Sequence, residues 1–598
     1  MSNSLFRTKK IASILAEGSD DSHGAGGLKR VLTLRDLTFF GIAAILGAGS
    51  FSSLGGAVFH GGPGVVVLFI ITAIACAFTA FCYSEFASRI PVAGSAYTYA
   101  YASFGELFAW IIGWALIMEY SIGNIYVAYS WSDYFTSFLD KLNVHMPAWL
   151  CTSYMEVKHA ITGGSTSADV LDAWNSAPVI GGLHIIFDLP ALIINALITY
   201  LVFRGIKESR NFSNVMVVLK MIVVVLVILV GGYIIFSNGL TINWMPANDA
   251  GVKSFMPNGF GGVMAAVSGV FFAYIGFDAV SVLAEESKNP QRDLPRGMIF
   301  SLVICTIVYI LLTLVLTGAV NYRKFEGVGD PLAFIFEKQN LDVSWMQFFV
   351  SIAAVIAMTS VLLVFQMGQP RIWMSMSRDG LLPTVFQKIH PKFKTPSFST
   401  IVTGLVVGIP ILFTDKTFVL DFTSIATLFA FVLVCGGVLL IPKKEKQAGK
   451  FHIPYINGQF IFPAIIIGAL LIVYFFNHQY LQELFHLPLT TEEAQSAVTG
   501  IDPMKTELIN NAIDSAAVAK ETINISTIIF WVVCLVVSIL TFIKKYSLIP
   551  LLGLSTCLYL LTGMTAKNWA WFSSWLLLGL VVYFLYGYKK SKLAQARD

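Results

Sequence analysis

The sequence predicts an all-α polytopic membrane protein with about fourteen transmembrane helices and a core of two inverted five-helix repeats, in which helices 1 and 6 are broken. The first observation is composition: hydrophobic residues fill 56% of the 598 positions and charged residues only 12%, against roughly a quarter charged in soluble domains. The second is spacing, because about fourteen stretches approach the roughly 20 apolar residues that a membrane-crossing helix needs. The third is that two of these stretches, five helices apart, are interrupted by glycine.

The predicted spans follow one another along nearly the whole chain. They are 37–58, 65–87, 106–134, 185–203, 215–236, 259–285, 298–320, 345–365, 397–413, 418–441, 459–476, 527–543, 546–565 and 569–586. This pattern predicts a cytoplasmic N-terminal tail (1–36), an inverted-repeat core of helices 1–10 (37–441), and a cytoplasmic loop with helix 11 (442–476). A long extracytoplasmic loop (477–526), additional C-terminal helices (527–587) and a cytoplasmic tail (588–598) complete the predicted organisation.

Lysine and arginine gather in alternate loops, and positively charged loops stay on the cytoplasmic side. They concentrate at 29–35, 204–210, 371–394, 443–450, 544–545 and 589–592, whereas the loops at 140–184 and 477–526 hold few. We therefore expect a multi-pass protein of the cell (plasma or inner) membrane with both termini in the cytoplasm. The N-terminus lacks an apolar core followed by a small-residue cleavage site, so no signal peptide is expected. The net charge of +4 is a topology signal and predicts no nucleic-acid partner.

Other site types have little support in the sequence. Six of the seven cysteines lie inside predicted spans, so neither a disulfide framework nor a Cys-x-x-Cys metal site is expected. No P-loop, metal-ligand cluster or nucleophile elbow stands in a suitable context, so we predict neither an enzyme nor a cofactor. Residues 4–17 have two interpretations, a basic amphipathic helix resting on the inner leaflet or a disordered tail.

Glycine clusters mark where the membrane helices break. The first span contains GAGS at 47–50, and the sixth contains AYIGFD at 273–278, where a helix-weakening glycine precedes a residue favoured at N-caps. Irregular backbone is tolerated in lipid only where it is buried or lines a cavity. Either cluster alone would more often serve close helix packing, but the pair favours an inverted repeat with a substrate site at the breaks.

The ends of half-helices have opposite polarity. Their N-termini present unpaired N–H groups and a partial positive charge, which suit a carboxylate. Their C-termini present carbonyl groups, which suit an ammonium group. A site with both polarities therefore favours the zwitterion that all amino acids share.

Two of the charged residues inside predicted spans, Lys220 and Glu119, are candidates for function. Lys220 and Glu119 would each cost about 2.5 to 3.5 kcal/mol at a helix centre, which makes both functional candidates. A buried lysine without a counter-ion could take up and release a proton. In the alternative interpretations, Lys220 snorkels to the cytoplasm from a position close to its helix start, and Glu119 is a structural partner of a buried donor. Asp278 is interpreted first as the cap of the second half of helix 6.

Five runs of sequence carry a family resemblance. They are YSEFASRIPVAGSAY at 83–97, FAYIGFDAVSVLAEE at 272–286, NPQRDLP at 289–295, GQPR at 368–371 and MSRDGLLP at 376–383. With them the chain resembles, over residues 30–475, the cationic amino acid transporter family within the amino acid-polyamine-organocation (APC) superfamily. The resemblance implies a LeuT-like core working by alternating access, and the fourteen spans look like the longer family members, which add two helices to a twelve-helix core.

The resemblance also implies roles for individual residues. The substrate carboxylate would meet amides of Ala48, Gly49 and Ser50, and the ammonium would meet carbonyls of Ile45, Phe272, Ala273 and Ile275. Glu119 looks like a family glutamate that faces the substrate region. Lys220 resembles a fifth-helix lysine whose ammonium fills the place of a sodium ion, near Thr359 and Ser360 of helix 8. That placement argues against sodium coupling and for proton coupling or ion-independent exchange.

One departure from the family concerns the serines of helix 1. The family usually has apolar residues after the second glycine, whereas this chain has Ser50, Ser52 and Ser53. These hydroxyls either widen and polarise the pocket or bond back to helix carbonyls. A cationic substrate therefore does not follow from the family name.

The function predicted from the sequence is secondary active transport of an amino acid by alternating access, as proton-coupled symport. The alternatives are an amino acid exchanger and a non-transporting amino acid sensor, although the short tails offer no sizeable effector region. A channel is disfavoured because no rings of polar residues are evident. The expected partners are an amino acid substrate, co-transported protons and membrane lipid, with the oligomeric state left open.

Overall fold

The structure, a computed structural model, describes residues 5–9, 14, 32–47, 49–90, 95–162, 168–205, 209–248, 251–393, 395–440, 451–476 and 526–595. Each of the fourteen predicted spans overlaps helical residues within these ranges. In the same residues, nine helical segments are long and apolar enough to cross a membrane, and four more apolar helices are shorter. Multiple membrane passes are therefore supported, while fourteen crossings stay a prediction.

The helices follow in chain order. The first half contains α1 (Leu34–Ile45), α2 (Leu54–Gly61), α3 (Val65–Arg89), α4 (Ser95–Ser103), α5 (Glu106–Lys141), α6 (Tyr154–Thr162), α7 (Ala168–Ser176), α8 (Leu189–Arg204), α9 (Ser209–Ser237), α10 (Gly259–Ala265) and α11 (Val267–Tyr274). The second half contains α12 (Pro290–Ala319), α13 (Pro331–Phe334), α14 (Ser344–Arg378), α15 (Ser397–Ile411), α16 (Lys416–Leu440), α17 (Ile461–Phe476), α18 (Ser526–Lys544), α19 (Leu548–Leu561) and α20 (Ala566–Val582). A two-stranded antiparallel hairpin, β1 (Val179–Ile180) and β2 (Leu183–His184), lies between α7 and α8.

Both predicted helix breaks are present. Helix α1 ends at Ile45, and a π-helical turn at Gly49–Ser53 separates it from α2. Helix α11 ends at Tyr274, and the chain resumes as a 3₁₀-helix at Asp278–Glu286. Gly276 lies between them with φ = 114°, a backbone conformation that side chains with a Cβ rarely adopt. The cap of the second segment is Phe277, and Asp278 is its first residue, with its carboxylate against backbone N–H groups of Gly276 and Ala279.

The two breaks touch each other in the middle of the bundle. A Cβ added to Gly49 would lie 2.5 Å from the Cα of Ala273, and one added to Gly276 would lie 2.7 Å from the Cβ of Ala44. Real Cβ atoms do not approach other atoms so closely, so glycine is required for this contact. Around it, α5 packs along α14 and α16, and α12 packs along α1 and α3.

The start of helix α9 differs from the prediction, and the difference changes how far into the helix Lys220 lies. Helix α9 begins at Ser209, whereas the apolar pattern placed its start at 215, because the residues of its first turn are polar. Lys220 therefore lies eleven residues into the helix (209 to 220), and its side chain is 0% exposed. The interpretation in which Lys220 snorkels to the membrane surface is wrong.

The two interpretations of residues 4–17 fall mostly outside the described residues. Residues 5 and 6 form a turn, and residues 7–9 have no regular structure. The backbone carbonyl of Arg7 accepts a hydrogen bond from the N–H of Glu106 (2.9 Å). The ammonium of Lys9 contacts the carboxylate of Asp379 at 2.6 Å. Arg7 and Lys9 therefore contact the end of the helix bundle, and both interpretations of residues 4–17 stay predictions.

Because the two breaks are in contact, we expect an alanine substitution to destabilise the protein at Gly276 but not at Gly56. Gly276→Ala should destabilise the protein by about 1–3 kcal/mol, because the new methyl overpacks against Ala44 and the backbone conformation disfavours a Cβ. Gly56→Ala is the control, because nothing lies within 4 Å of a Cβ at that position of α2. Thermal unfolding of the detergent-solubilised variants should show a lower midpoint for Gly276→Ala alone. Equal midpoints for the two variants would contradict the proposed contact.

Candidate functional site

A cavity lies where the two breaks meet. The breaks contribute Ala44, Ile45, Gly49, Phe272 and Ile275 to its lining, and the neighbouring helices α5 and α14 contribute Val127, Val361 and Phe365. Every lining residue is apolar. The space between them is narrow and holds about one water molecule, so a larger ligand requires the helices to move apart.

The carbonyl ends of the broken helices are bridged by a tyrosine. The hydroxyl of Tyr309 on α12 donates to the carbonyl of Ile45 (2.8 Å) and to that of Ala273 (2.6 Å). Its side chain is fully buried. A hydroxyl has one hydrogen to share between the two acceptors, and each carbonyl oxygen has a second lone pair. Two of the predicted ammonium-binding carbonyls, those of Ile45 and Ala273, are thus already brought together. The Ile45 carbonyl also accepts the N–H of Gly47 at 3.0 Å, so an ammonium would have to replace or share one of its two donors.

The other two predicted carbonyls lie beside this bridge. The carbonyl of Phe272 accepts the backbone N–H of Ile275 at 3.1 Å, which closes the last turn before the break. Both residues line the cavity. Three of the four predicted carbonyl residues therefore line the cavity, and the fourth, Ala273, is joined to Ile45 through Tyr309. The sequence contained no signal that Tyr309 would join two of them.

The amide side of the predicted site is only partly described. Ala48 lies outside the described residues. Gly49 lines the cavity, while the N–H of Ser50 donates to the carbonyl of Gly47 at 3.1 Å. In this conformation the amide of Ser50 is therefore used within the turn.

The three serines of helix 1 bond to backbone and do not line the cavity. The hydroxyl of Ser50 donates to Gly47 (3.0 Å), and that of Ser53 to Gly49 (2.8 Å) and Gly269 (2.9 Å). Ser52 donates to the carbonyl of Gly329 at 3.1 Å. Of the two interpretations of these residues, the one in which they bond to backbone carbonyls agrees with the structure.

Lys220 binds carbonyl groups at the end of α1, the first half of the broken helix 1. Its ammonium donates to the carbonyl of Ala43 (2.8 Å) and to that of Leu46 (2.7 Å). The last carbonyls of a helix have no partner within it and carry partial negative charge. A buried cation at this point therefore stabilises the break.

Thr359 and Ser360, the predicted neighbours of Lys220, use their hydroxyls within α14. Thr359 donates to the carbonyl of Val355 (2.7 Å), and Ser360 to that of Ala357 (2.6 Å). The indole N–H of Trp131 donates to the Thr359 hydroxyl at 3.0 Å. Within the described part of the chain, neither hydroxyl is hydrogen-bonded to Lys220.

Glu119 is buried but lies outside the cavity lining. Its side chain is 3% exposed, and it lies beside Thr427 of α16 and near Asp278. Its Oε2 atom has no hydrogen-bond partner among the described residues. The structure thus groups two carboxyl groups where the chain of helix 6 resumes, one turn away from the cavity.

On the side of Phe272, the cavity is covered by an edge-on pair of aromatic rings and an ion pair. The ring of Tyr126 packs edge-on against Phe272, with centroids 4.5 Å apart. The ammonium of Lys416 lies 5.6 Å from the centroid of Tyr126 and pairs with the carboxylate of Asp133. Burial would lower the pKa of Lys416, but Asp133 and Tyr126 raise it above its usual value, so the ammonium stays charged. Sequence reasoning missed this cover, because the four residues come from three distant segments.

The sequence is similar to those of known permeases and transporters. Residues 32–489 match the amino acid permease family, and residues 546–591 match the C-terminal region of amino acid permeases. The branched-chain amino acid permease BcaP of Bacillus subtilis (strain 168) is 41% identical over 445 residues, 74% of this chain and 87% of that protein. The methylthioribose transporter of the same organism is 39% identical over 76% of this chain and 89% of its own length. The vacuolar cationic amino acid transporter 2 of Arabidopsis thaliana is 31% identical over 99% of this chain and 94% of its own length.

The bridge made by Tyr309 predicts a ligand-dependent change in stability. In Tyr309→Phe, two buried carbonyls lose a donor, which should destabilise the protein by about 1–3 kcal/mol. If an ammonium binds the same carbonyls, saturating L-leucine should reverse part of that loss. The measurement is the unfolding temperature of each variant with and without ligand.

The matched control for this prediction is Tyr129→Phe. The Tyr129 hydroxyl bridges the carbonyls of Ile411 (2.7 Å) and Thr414 (2.8 Å), and its side chain is equally buried, but it lies away from the breaks. Tyr129→Phe should lower the unfolding temperature by a similar amount. Leucine should raise the unfolding temperature of this variant no more than it raises that of the unmodified protein. A leucine-induced shift that is no larger in Tyr309→Phe than in Tyr129→Phe would exclude these carbonyls as the ammonium site.

Proposed function

Because the chain belongs to the cationic amino acid transporter family of the APC superfamily, we propose that it is a proton-coupled symporter of amino acids with apolar side chains. It is a multi-pass membrane protein whose relatives are permeases and transporters, and it is not an enzyme. Its relatives differ in what their names say they carry, so the side chain accepted has to be argued from the cavity.

The apolar lining of the cavity carries the proposal. Beside the backbone of the breaks, a bound amino acid would meet Val127, Val361 and Phe365. None of the lining residues is acidic, and Glu119 is not among them. A cationic side chain buried there would lack a counter-ion, which is strongly unfavourable. An aliphatic side chain would gain from the burial of its apolar surface.

Recognition of the shared zwitterion is proposed at the helix ends. The carbonyls of Ile45, Phe272, Ala273 and Ile275 would accept the ammonium, and the amides of Ala48, Gly49 and Ser50 would donate to the carboxylate. The proposal is supported by the position of Ile45, Phe272 and Ile275 in the cavity lining and by the hydroxyl of Tyr309, which joins Ala273 to Ile45. It requires the turn at Gly49–Ser53 to open, because the N–H of Ser50 is bonded to Gly47 in this conformation.

Alternating access is supported by the closed state of the cavity. The cavity is too narrow for an amino acid, and the edge-on pair of Phe272 and Tyr126 covers one side of it. Ligand entry therefore requires helix movement, and the broken helices can supply it because they lack continuous hydrogen bonding at mid-membrane. We place both termini in the cytoplasm of a plasma or inner membrane protein, with residues 37–441 as the transport core.

Proton coupling is proposed at Lys220, with contributions from Thr359, Ser360 and Glu119. Lys220 is the buried cation that contacts the carbonyls of the first half-helix directly. A change in its charge would alter the interaction with these negative helix ends, and so the position of the half-helix. Exchange of one amino acid for another is the second candidate, since the same site could work without net proton movement.

The apolar cavity predicts the substrate profile. Uptake of radiolabelled L-leucine into proteoliposomes should be inhibited by unlabelled valine, isoleucine and alanine, and at least about tenfold more weakly by lysine and arginine, because desolvating an unpaired charge costs several kcal/mol. Empty liposomes and L-glutamate serve as controls. Inhibition by lysine as strong as that by leucine would refute the apolar side-chain preference. Leucine binding without uptake under any gradient would favour a sensor.

Lys220 predicts how transport responds to a proton gradient. Lys220→Ala should abolish the stimulation of leucine uptake by an alkaline interior, while leucine exchange at equal pH continues at a reduced rate. Asn195→Leu is the control, because the Asn195 amide also donates to a carbonyl of a neighbouring helix, that of Gly404 (3.0 Å), without a titratable group. Gradient-driven uptake that is undiminished in Lys220→Ala, or a sodium requirement in the unmodified protein, would defeat this role.

A further inference from the structure

A second cavity lies one helical turn from the first, toward the end of the bundle at which α1 begins. It is lined by the same broken helices, through Phe40 on α1 and Val282 and Leu283 on the 3₁₀-helix, and by α5 and α14. The two cavities share no lining residue. A displacement of about 5 Å, one helical turn, separates corresponding positions on the helices. In the proposed topology, this second cavity lies on the cytoplasmic side.

The second cavity contains a buried hydroxyl without a partner. Tyr120 lines it, and its side chain is 3% exposed. Its hydroxyl has no hydrogen-bond partner among the described residues. The ring is held in place by Phe365 (centroids 5.6 Å apart) and by Gly368, where a Cβ would lie 2.5 Å from the ring. Leaving a buried hydroxyl unpaired costs about 1–3 kcal/mol, which suggests that it serves a ligand.

The same cavity contains one cationic side chain. Arg371, one turn beyond Met367 on α14, is half-buried and lines the cavity. A guanidinium has five N–H donors, so it can bind a carboxylate while keeping another partner. The rest of the lining is apolar, and none of it is acidic. The carboxyl groups of Asp278 and Glu119 lie near Tyr120 outside this lining. Within the lining, the Arg371 guanidinium and the Tyr120 hydroxyl can donate to an anionic group, and the apolar wall fits an aliphatic chain.

We propose that this cavity is a second, transient amino acid subsite on the cytoplasmic release path. The carboxylate, after leaving the amides of the central site, binds the Arg371 guanidinium and the Tyr120 hydroxyl. The side chain lies against Val282, Leu283 and Met367, so the carboxylate moves one turn while it keeps hydrogen-bond donors. The inference rests on the proposed transport function and adds a step to it.

The test compares the two faces of the membrane. Uptake of radiolabelled L-leucine is measured in right-side-out and in inside-out membrane vesicles that contain the full-length protein. Arg371→Gln should raise the half-saturating leucine concentration about tenfold in inside-out vesicles, since a charge-assisted hydrogen bond is lost. Tyr120→Phe should raise it several-fold. Neither variant should change it in right-side-out vesicles.

Matched controls separate the subsite from general effects. Arg378→Gln removes an exposed cation two turns further along α14. Tyr83→Phe removes a hydroxyl that is equally buried and unpartnered among the described residues but lines neither cavity. Both controls should match the unmodified protein on both faces.

The outcomes are distinguishable. Equal effects of Arg371→Gln on both faces, or an effect confined to right-side-out vesicles, would overturn the subsite. Should Arg371→Gln fail to fold, Tyr120→Phe decides, because it removes no hydrogen bond among the described residues, and normal behaviour of Tyr120→Phe on both faces would overturn the proposal. Absence of leucine uptake by the unmodified protein in both vesicle types would instead refute the proposed function.

Discussion

The structure depends on how the backbone carbonyls at two helix breaks are satisfied in the middle of an apolar bundle. A helix that stops inside a membrane leaves carbonyls that water cannot reach, and each unpaired group costs several kcal/mol. Two side chains from different helices donate hydrogen bonds to these carbonyls. Lys220 binds the carbonyls of Ala43 and Leu46, and Tyr309 binds those of Ile45 and Ala273. Both donors come from helices that are themselves unbroken.

The arrangement of donors gives the two breaks different surroundings. Lys220 holds only the first half-helix, whereas Tyr309 joins the ends of both. A ligand ammonium in the cavity would therefore act on the same carbonyls that Tyr309 connects, and its arrival would change how firmly the two half-helices are held together. In the proposed mechanism, binding at this point would be coupled to helix movement by shared acceptors, without any long-range pathway.

The apolar walls and the charged groups are kept apart. Around the cavity, the polar recognition groups are backbone atoms, and the side chains are aliphatic or aromatic. Charge is found on either side of it, with Lys416 and Asp133 behind Tyr126 on one side and Arg371 on the other. Such a division suits a protein that recognises the constant part of its substrate with backbone and the variable part by apolar surface.

Much of this protein was determined by sequence alone: the membrane class, the order of the helices, the two broken spans and the family. Each depends on local pattern, such as apolar length, glycine clusters and short motifs, that needs no knowledge of contacts. Only the tertiary structure decided that Tyr309 bridges the breaks, that Lys220 is fully buried, and that Ser50 and Ser53 bond to backbone instead of lining the cavity. It also excluded Glu119 from the cavity lining. These facts depend on which distant helices meet and on the side chain's direction around its helix, and a single sequence without contact information does not contain either.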